Sequence, residues 1–344
     1  IQYILGDFHG ALETIYTMTE SKTYIATMGT HYLSSLKDID PNIVRSLIVL
    51  LESGPGDEIR GASHYRQIVE RAGVERVVFT CDERLYKLFI RSFPELTFHP
   101  FSRFRHHSYL IDYYEFSRIP SSELVWMMDN GVWDAVQASD KVIRYFAARV
   151  DVVNSYDDIA GTPFLKADPE ATIALRSQLK KKHNKPLVGL CWRSSLQSEV
   201  RNTAFFSPEE LLPILELDCV QFVNCQSDGC TEKEKQFFEQ YCPNKLLDVA
   251  NIDQYNDFDS AAALYSALDL MISCPNTVME LAGALGVPTL TFTFTYEPDL
   301  HLKPGCKYNV YYNCVEHVGC DIPIGQRNDI IQELRAKIQL KFDH

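Results

Sequence analysis

The rhythm of apolar and polar residues changes several times along this chain, and each change marks an element. Residues 1–44 carry small and aromatic side chains at helical spacings without strand alternation. They read as a short helical segment, of the kind that ends a helical-repeat array. From residue 46 the pattern becomes short apolar runs separated by turns. The runs at 46–52 (SLIVLLE), 76–81 (RVVFTC) and 96–99 (LTFH) predict buried parallel strands. A glycine turn at 53–57 leads into a helix ending near Ala72, and Asp82 caps a second helix over 83–92. Strand and helix alternate, the signature of a doubly wound α/β unit. Residues 101–170 are less regular. The stretch 109–114 reads as a strand, 121–128 and 140–149 as helices, and 157–169, with Gly161, Pro163 and Pro169, as a linker.

The alternation then starts again. Strands are predicted at 187–192, 220–225, 246–249, 270–274 and 288–294. Ser207-Pro-Glu-Glu210 and Thr231-Glu-Lys-Glu234 are two capping boxes that open helices. Asp259 can cap a helix over 260–268. Val278, Leu281, Ala282 and Leu285 form one face of a helix over 276–285. An amphipathic helix over 329–341 closes the chain. The domains predicted are a helical segment (1–44), a first Rossmann-like domain (45–170) and a second (171–344).

The 344 residues, 46% of them hydrophobic, suffice for two cores. A net charge of −13 argues against holding nucleic acid by phosphate neutralisation. No apolar run reaches the ~18 residues needed to cross a bilayer, and no signal-peptide pattern opens the chain. Ten cysteines without C-x-x-C pairing read as reduced thiols of a cytoplasmic protein. Cys306, Cys314 and Cys320 with His317 match no zinc spacing, so no metal is expected. The chain opens on Ile1 rather than Met, so a preceding region is expected.

Ligands of open α/β sheets sit at the carboxyl ends of strands, and the polar residues there are the candidates. Gly54-Pro-Gly56-Asp57 is neither a dinucleotide fingerprint, whose third glycine is missing, nor a P-loop, whose Lys is missing. It is a turn that lets backbone approach a ligand and sets Asp57 at a helix start. Asp57 is a candidate general base, or merely a helix cap. Ser273-Cys-Pro-Asn276-Thr277 is a strand, turn and helix start where N–H groups and the helix dipole favour an anion; Asn276 can equally serve as N-cap. Gly283 and Gly286 would allow close helix–sheet contact. Arg193 can neutralise a departing phosphate, as can Arg201. Ser194 follows Arg193, and Gln226 suits a base edge or ribose. Asp253, Asp257 and Asp259 can bind ribose hydroxyls or a cation, or cap. Nothing singles out His64, His99, His106 or His107.

The runs ESGPGDEIRGASHYRQIVERAGVERVVFTCDERLYKLFIRSFPEL (52–96), PFLKADPEATIALRSQL (163–179), KPLVGLCWRSS (185–195) and DFDSAAALYSALDLMISCPNTVMELAGALGVPTL (257–290) together resemble the tetratricopeptide-repeat-linked bacterial glycosyltransferases. They are also similar to the heptosyltransferases of lipopolysaccharide assembly, and more distantly to O-GlcNAc transferase. The resemblance implies a GT-B fold of two facing Rossmann-like domains with a short helical N-terminal segment. It implies an inverting, metal-independent glycosyltransferase whose donor is a nucleotide diphosphate sugar and whose acceptor is a glycan or protein hydroxyl. Asp57 maps onto the base, and Asn276 and Thr277 onto the diphosphate site. Gly54, Gly56, Ser194, Gln226, Ser273 and Glu280 complete the expected donor set, with Arg193 catalytic beside Asp57 and no cofactor beyond the donor itself. The helical segment is a place for protein contacts. The sequence departs from the pattern at Cys191, at Ser194-Ser195 where Gly-Gly is common, and at Met279-Glu280, where His often precedes Leu-Ala-Gly. The tail CKYNVYYNCVEHVGCDI has no counterpart. A catalytically degenerate sugar- or partner-binding module and a nucleotide-sugar epimerase are the alternatives.

Overall fold

The computed structural model describes residues 2, 7–19, 22–102, 113–121, 124–181, 184–195, 202, 204–292, 301–320 and 325–343. Arg201, His106 and His107 lie outside them, as do residues 109–112 of the strand expected at 109–114; Tyr113–Phe116 is a 3-10 turn. Two compact units divide the chain, Ile1–Ala160 and Gly161–His344.

In the first unit, helices α1 (Phe8–Thr19) and α2 (Lys22–Met28) precede strand β1 (Tyr32–Leu33). Strand β2 (Ser46–Leu50) leads into helix α3 (Pro55–Gly61), a 3-10 turn and helix α4 (Tyr65–Ala72). Strand β3 (Arg76–Asp82), helix α5 (Tyr86–Ser92), strand β4 (Thr97–Phe101), helix α6 (Asn130–Ala138), strand β5 (Lys141–Arg144) and helix α7 (Tyr145–Val150) follow. The sheet is parallel throughout, in order β1-β5-β2-β3-β4.

Three elements differ from the sequence expectation. The 140–149 stretch is a strand running directly into a helix. Its apolar residues fit either period, and no turn residue separates the two halves. The 121–128 stretch forms turns where it is described. Residues 1–44 are not purely helical: β1 pairs with β5 at the sheet edge, too short to leave an alternation. The segment is tied into the unit by Ser35 Oγ, which donates to Asp151 Oδ2 at 2.9 Å, and by the buried Phe8, Ala11 and Leu12, spaced i, i+3, i+4 on α1. Rings of Tyr65, Phe79, Phe89, Phe93 and Phe98 build the core between helices and sheet.

The second unit begins before the boundary read from sequence, because Phe164 N–H and Leu165 N–H both donate to Ala284 O at 3.0 Å. Helix α8 (Pro169–Lys180) starts on an Asp168 cap with proline in its first turn. Then come β6 (Leu187–Cys191), α9 (Pro208–Leu215), β7 (Gln221–Asn224), α10 (Glu232–Tyr241), β8 (Leu246–Leu247), α11 (Phe258–Ser266), β9 (Leu270–Ser273), α12 (Thr277–Leu285), β10 (Thr289–Phe292), β11 (Val315–Val318) and α13 (Arg327–Phe342). Both expected capping boxes are formed, at Ser207/Glu210 and Thr231/Glu234. The parallel sheet runs β11-β10-β9-β6-β7-β8. Numbered from β6, this is the 3-2-1-4-5-6 order of the Rossmann fold, which reverses between β6 and β9. Strand β11, in the tail without a counterpart, extends the sheet beyond β10.

Gly286 caps α12 at φ +81°, in the left-handed region. A side chain at Gly283 would lie 2.5 Å from the Tyr312 ring. The two glycines therefore admit Tyr312 and a left-handed cap, rather than the helix–sheet approach expected. Among the described residues no helix is long and apolar enough to cross a membrane.

Candidate functional site

In the second unit the strand order reverses where β6 ends at Cys191 and β9 ends at Ser273, and the residues after both strands meet there. Asn276 is the N-cap of α12: its Oδ1 accepts from Val278 N–H at 2.9 Å and Met279 N–H at 3.4 Å. Its Nδ2 donates to Cys191 Sγ at 3.3 Å and Arg193 O at 3.4 Å, joining the end of β6 to the start of α12. Ser273, fully buried, donates from Oγ to Cys274 O and to Asn276 Oδ1. Of the helix's first N–H groups, the cap consumes two, and Glu280 N–H bonds Asn276 O. Those of Asn276 and Thr277 remain at the positive end of the helix, beside the half-buried Thr277 hydroxyl. The capping and anion readings of Asn276 thus coexist, with fewer donors than a bare helix start would offer.

Arg193 does not face this opening. Its Nε and Nη2 donate to Glu234 Oε1 and Oε2 at 2.8 and 2.9 Å, Nη1 to Asp228 Oδ2 at 2.7 Å, and Nη2 also to Gly229 O at 3.0 Å. Four of five guanidinium donors are committed inside the protein, so its expected contact with a departing phosphate is corrected to a strut that ties the end of β6 to Asp228, Gly229 and Glu234. Burial works to raise the Glu234 carboxyl, but Arg193, Thr231 N–H and the Trp192 indole outweigh it and bring it down to about 2. Gln226 is corrected likewise. It is buried, donates from Nε2 to Arg193 O and Asp228 Oδ1, both at 2.8 Å, and accepts from Arg193 N–H at 3.3 Å, which commits both of its amide donors inside the protein. Ser194 is half-buried just beyond Arg193.

Glu280, also expected at the donor, is buried under other partners. It bonds His301 Nε2 at 2.9 Å and accepts from Tyr312 OH at 2.7 Å. An imidazole thus reaches α12 from position 301 rather than from the helix itself. The acidic cluster is capping: Asp257 accepts from Asp259 N–H and Ser260 N–H, two residues before the expected cap, and Asp253 accepts from Tyr255 N–H and Asn256 N–H. His317 faces Asn309 Nδ2 at 3.3 Å, and all ten cysteines are free thiols. Among the described residues no group of three or more His, Cys, Asp or Glu is placed to hold a metal ion.

The first unit has its own reversal, between β2 and β5, and a pocket lies there. Leu51, Glu52, Ser53, Asp57, Glu58, Arg60, Tyr145, Phe146 and Arg149 line it. The loop after β2 is pinned by Leu51 N–H, which donates to Thr80 Oγ1 at 2.9 Å. Gly54 is the N-cap of α3 at φ −66°, and a side chain there would meet nothing within 4 Å. Neither Gly54 nor Gly56 has a positive φ, so backbone strain does not call for glycine at either position. Asp57 sits in the first turn of α3, does not cap it, and pairs with Arg60.

Behind this rim the charge is buried. Glu58 Oε2 accepts from Asp82 N–H at 2.9 Å, and Arg144 Nε donates to Glu52 Oε2. His64 Nδ1 lies 3.0 Å from Tyr145 OH; burial first, then Arg149 and Arg60, hold its pKa well below the ordinary value, so it is neutral. Sequence reasoning missed Glu52, Arg144 and His64 as site residues. The available signal was a carboxylate ending a buried run, SLIVLLE, immediately before a glycine turn.

No family profile matches the sequence. Protein FlbA of Caulobacter vibrioides is 30% identical over 256 residues, which cover 72% of this chain and 39% of FlbA. The chain therefore spans well under half the length of that relative. Among solved structures, the glycosyl transferase family 9 protein from Veillonella parvula matches with a TM-score of 0.60 at 12% identity, over 88% of this chain and 98% of that one. The E. coli ADP-heptose lps heptosyltransferase II matches with a TM-score of 0.52 at 13% identity, over 86% and 99%. The fold is GT-B. Within it, the two strand-order reversals of this GT-B chain carry the polar residues described above, one group in each unit.

Proposed function

We propose that this chain is a glycosyltransferase that moves a sugar from a nucleoside diphosphate sugar to a hydroxyl acceptor. The observation that carries the reading is the start of α12 at the reversal of the second sheet. Two N–H groups, the Thr277 hydroxyl and the positive helix end converge there after β9. They are the groups that bind the diphosphate and take up its charge as it leaves. The solved structures of like fold are glycosyltransferases, one of them named for ADP-heptose, which supports a nucleotide sugar in this place.

The acceptor binds at the pocket of the first unit. Asp57 takes the proton of the acceptor hydroxyl, and the oxygen forms its bond to the anomeric carbon. The bond from that carbon to the phosphate oxygen breaks, and its electron pair leaves with the nucleoside diphosphate. Attack opposite the leaving group inverts the centre. No step uses a metal ion, so excess chelator leaves the rate unchanged. Arg193 acts by tying the end of β6 to Glu234 and Asp228, without touching the donor.

The test is release of nucleoside diphosphate from a panel of nucleotide sugars, with product analysis. The reading predicts sugar transfer that falls by about a hundredfold in Asp57→Asn, the scale of a lost general base. A new isomer of the donor formed without acceptor would identify an epimerase instead, and absence of nucleotide-sugar binding would identify a degenerate module.

A further inference from the structure

Of the three carboxylates that line the pocket of the first unit, Asp57 and Glu52 are in different states. Asp57 is 45% exposed and paired with Arg60. The Glu52 side chain is 6% exposed. Arg144 Nε holds one of its oxygens, and the other, Oε1, is buried without a hydrogen-bond partner. Native proteins rarely leave a buried carboxylate oxygen without a donor, and a donor group entering this pocket would satisfy it. The remaining walls narrow what that group is. Leu51 and Phe146 are apolar, while Arg60 and Arg149 are cationic. Glu52, Asp57 and Glu58 outnumber the two arginines along the lining, so an anion is not favoured. Groups that both donate and accept, set against an apolar face, are sugar hydroxyls. A single hydroxyl can serve only one of the two carboxylates in a given pose; a pair of neighbouring hydroxyls can serve both.

We propose that Glu52 binds the acceptor. Its Oε1 accepts a hydrogen bond from a hydroxyl adjacent to the one that reacts, so the acceptor is a polyol such as a sugar ring, not the lone hydroxyl of a serine or threonine side chain. This rests on the sugar-transfer reading and settles which of its acceptor classes the pocket takes. Burial raises the Glu52 carboxyl against the opposing pull of Arg144, and a hydroxyl donor favours its charged form. Binding therefore strengthens as pH rises through the raised value. Arg144 faces the carboxylate directly; Asp57, Glu58, Arg60, Tyr145 and Arg149 face the same pocket, with His64 behind Tyr145.

The test is ligand-observed NMR on the full chain with a panel of methyl pyranosides, with N-acetyl-threonine methylamide as competitor. A pyranoside is expected to bind more tightly at about pH 8 than at about pH 5. In Glu52→Gln its affinity falls about tenfold or more, the worth of one hydrogen bond to a charged group, and the pH dependence flattens. Glu52→Asp retains part of both, and the threonine derivative does not compete. Should Glu52→Gln lose its fold by stranding Arg144, the double variant E52Q/R144M removes both charges and is read in the same way. Unchanged pyranoside affinity in these variants, competition by the threonine derivative, or no pyranoside binding at all overturns the proposal. Nucleoside diphosphates are titrated into the same samples. Pyranoside binding through Glu52 without any nucleoside diphosphate binding would sink the sugar-transfer reading and leave the pocket standing. The reverse pattern would sink the pocket alone.

Discussion

Replacing Glu234 by alanine removes the residue that holds Trp192 and Arg193, just after β6. One carboxylate holds Arg193 through two bonds, receives Trp192 Nε1–H at 2.9 Å and caps α10 through Thr231 N–H at 2.7 Å. The side chains of Arg193 and Glu234 are 7% and 10% exposed. Losing one partner of a buried pair costs ~3–5 kcal/mol because the other charge stays buried. The same contacts bring the Glu234 carboxyl from 4.5 to about 2, which at about 1.4 kcal/mol per pH unit is on the order of 3 kcal/mol. The sign follows from the depressed value. This stability is present above pH 4.5 and is lost as pH falls toward 2. For a unit of this size, about 3 kcal/mol lowers the melting temperature by roughly 6–12 °C. Scanning calorimetry of Glu234→Ala near neutral pH measures it. Below the melting transition, affinity for a nucleoside diphosphate should stay within about threefold of wild type. A stability loss under about 1 kcal/mol, or a large loss of nucleotide affinity in the folded variant, would refute the assignment of Arg193 as a strut.

Three further outcomes are expected. Gly283→Ala sets a methyl group against the Tyr312 ring, whose nearest atom lies 2.5 Å away, and should destabilise the second unit by ~1–3 kcal/mol in urea unfolding. His64 is neutral when folded but free to protonate when unfolded. Its share of stability is complete above about pH 6.5 and declines by about 1.4 kcal/mol per pH unit below it, until its folded value is reached; His64→Gln should remove that slope from a pH series of melts. Asn276→Ala removes the α12 cap and the tie to Cys191 and Arg193; it should cost ~1–2 kcal/mol of stability and weaken nucleoside diphosphate binding in calorimetry.

Much of the fold was legible because the strands of parallel sheets are buried on both faces and appear as unbroken apolar runs. The boxes at Ser207 and Thr231 were legible because capping is local. What failed depended on distant partners. The KVIR run forming β5 carries its strand identity in its pairing with β1 and β2, and nothing local distinguishes it from the helix that follows. Strand β11 is four residues in a turn-rich tail, visible only through its pairing with β10. The site residues divide the same way. The helix start at Asn276 was readable as an N-terminus with an anion-binding character. The direction taken by Arg193 was not, because the capping glutamate of α10, forty-one residues later, also serves as its counter-ion. Glu52 lay at the end of a strand run, and its partner Arg144 lay in the stretch misread as helix.

Hydrogen–deuterium exchange of the full chain, with and without a saturating nucleoside diphosphate, tests the placement of the donor most directly. The account predicts slowed exchange at residues 274–279, where the N–H groups of Asn276 and Thr277 would gain phosphate oxygens, and no comparable change around the pocket of the first unit. Exchange unchanged at 274–279 while a nucleoside diphosphate is bound would contradict it.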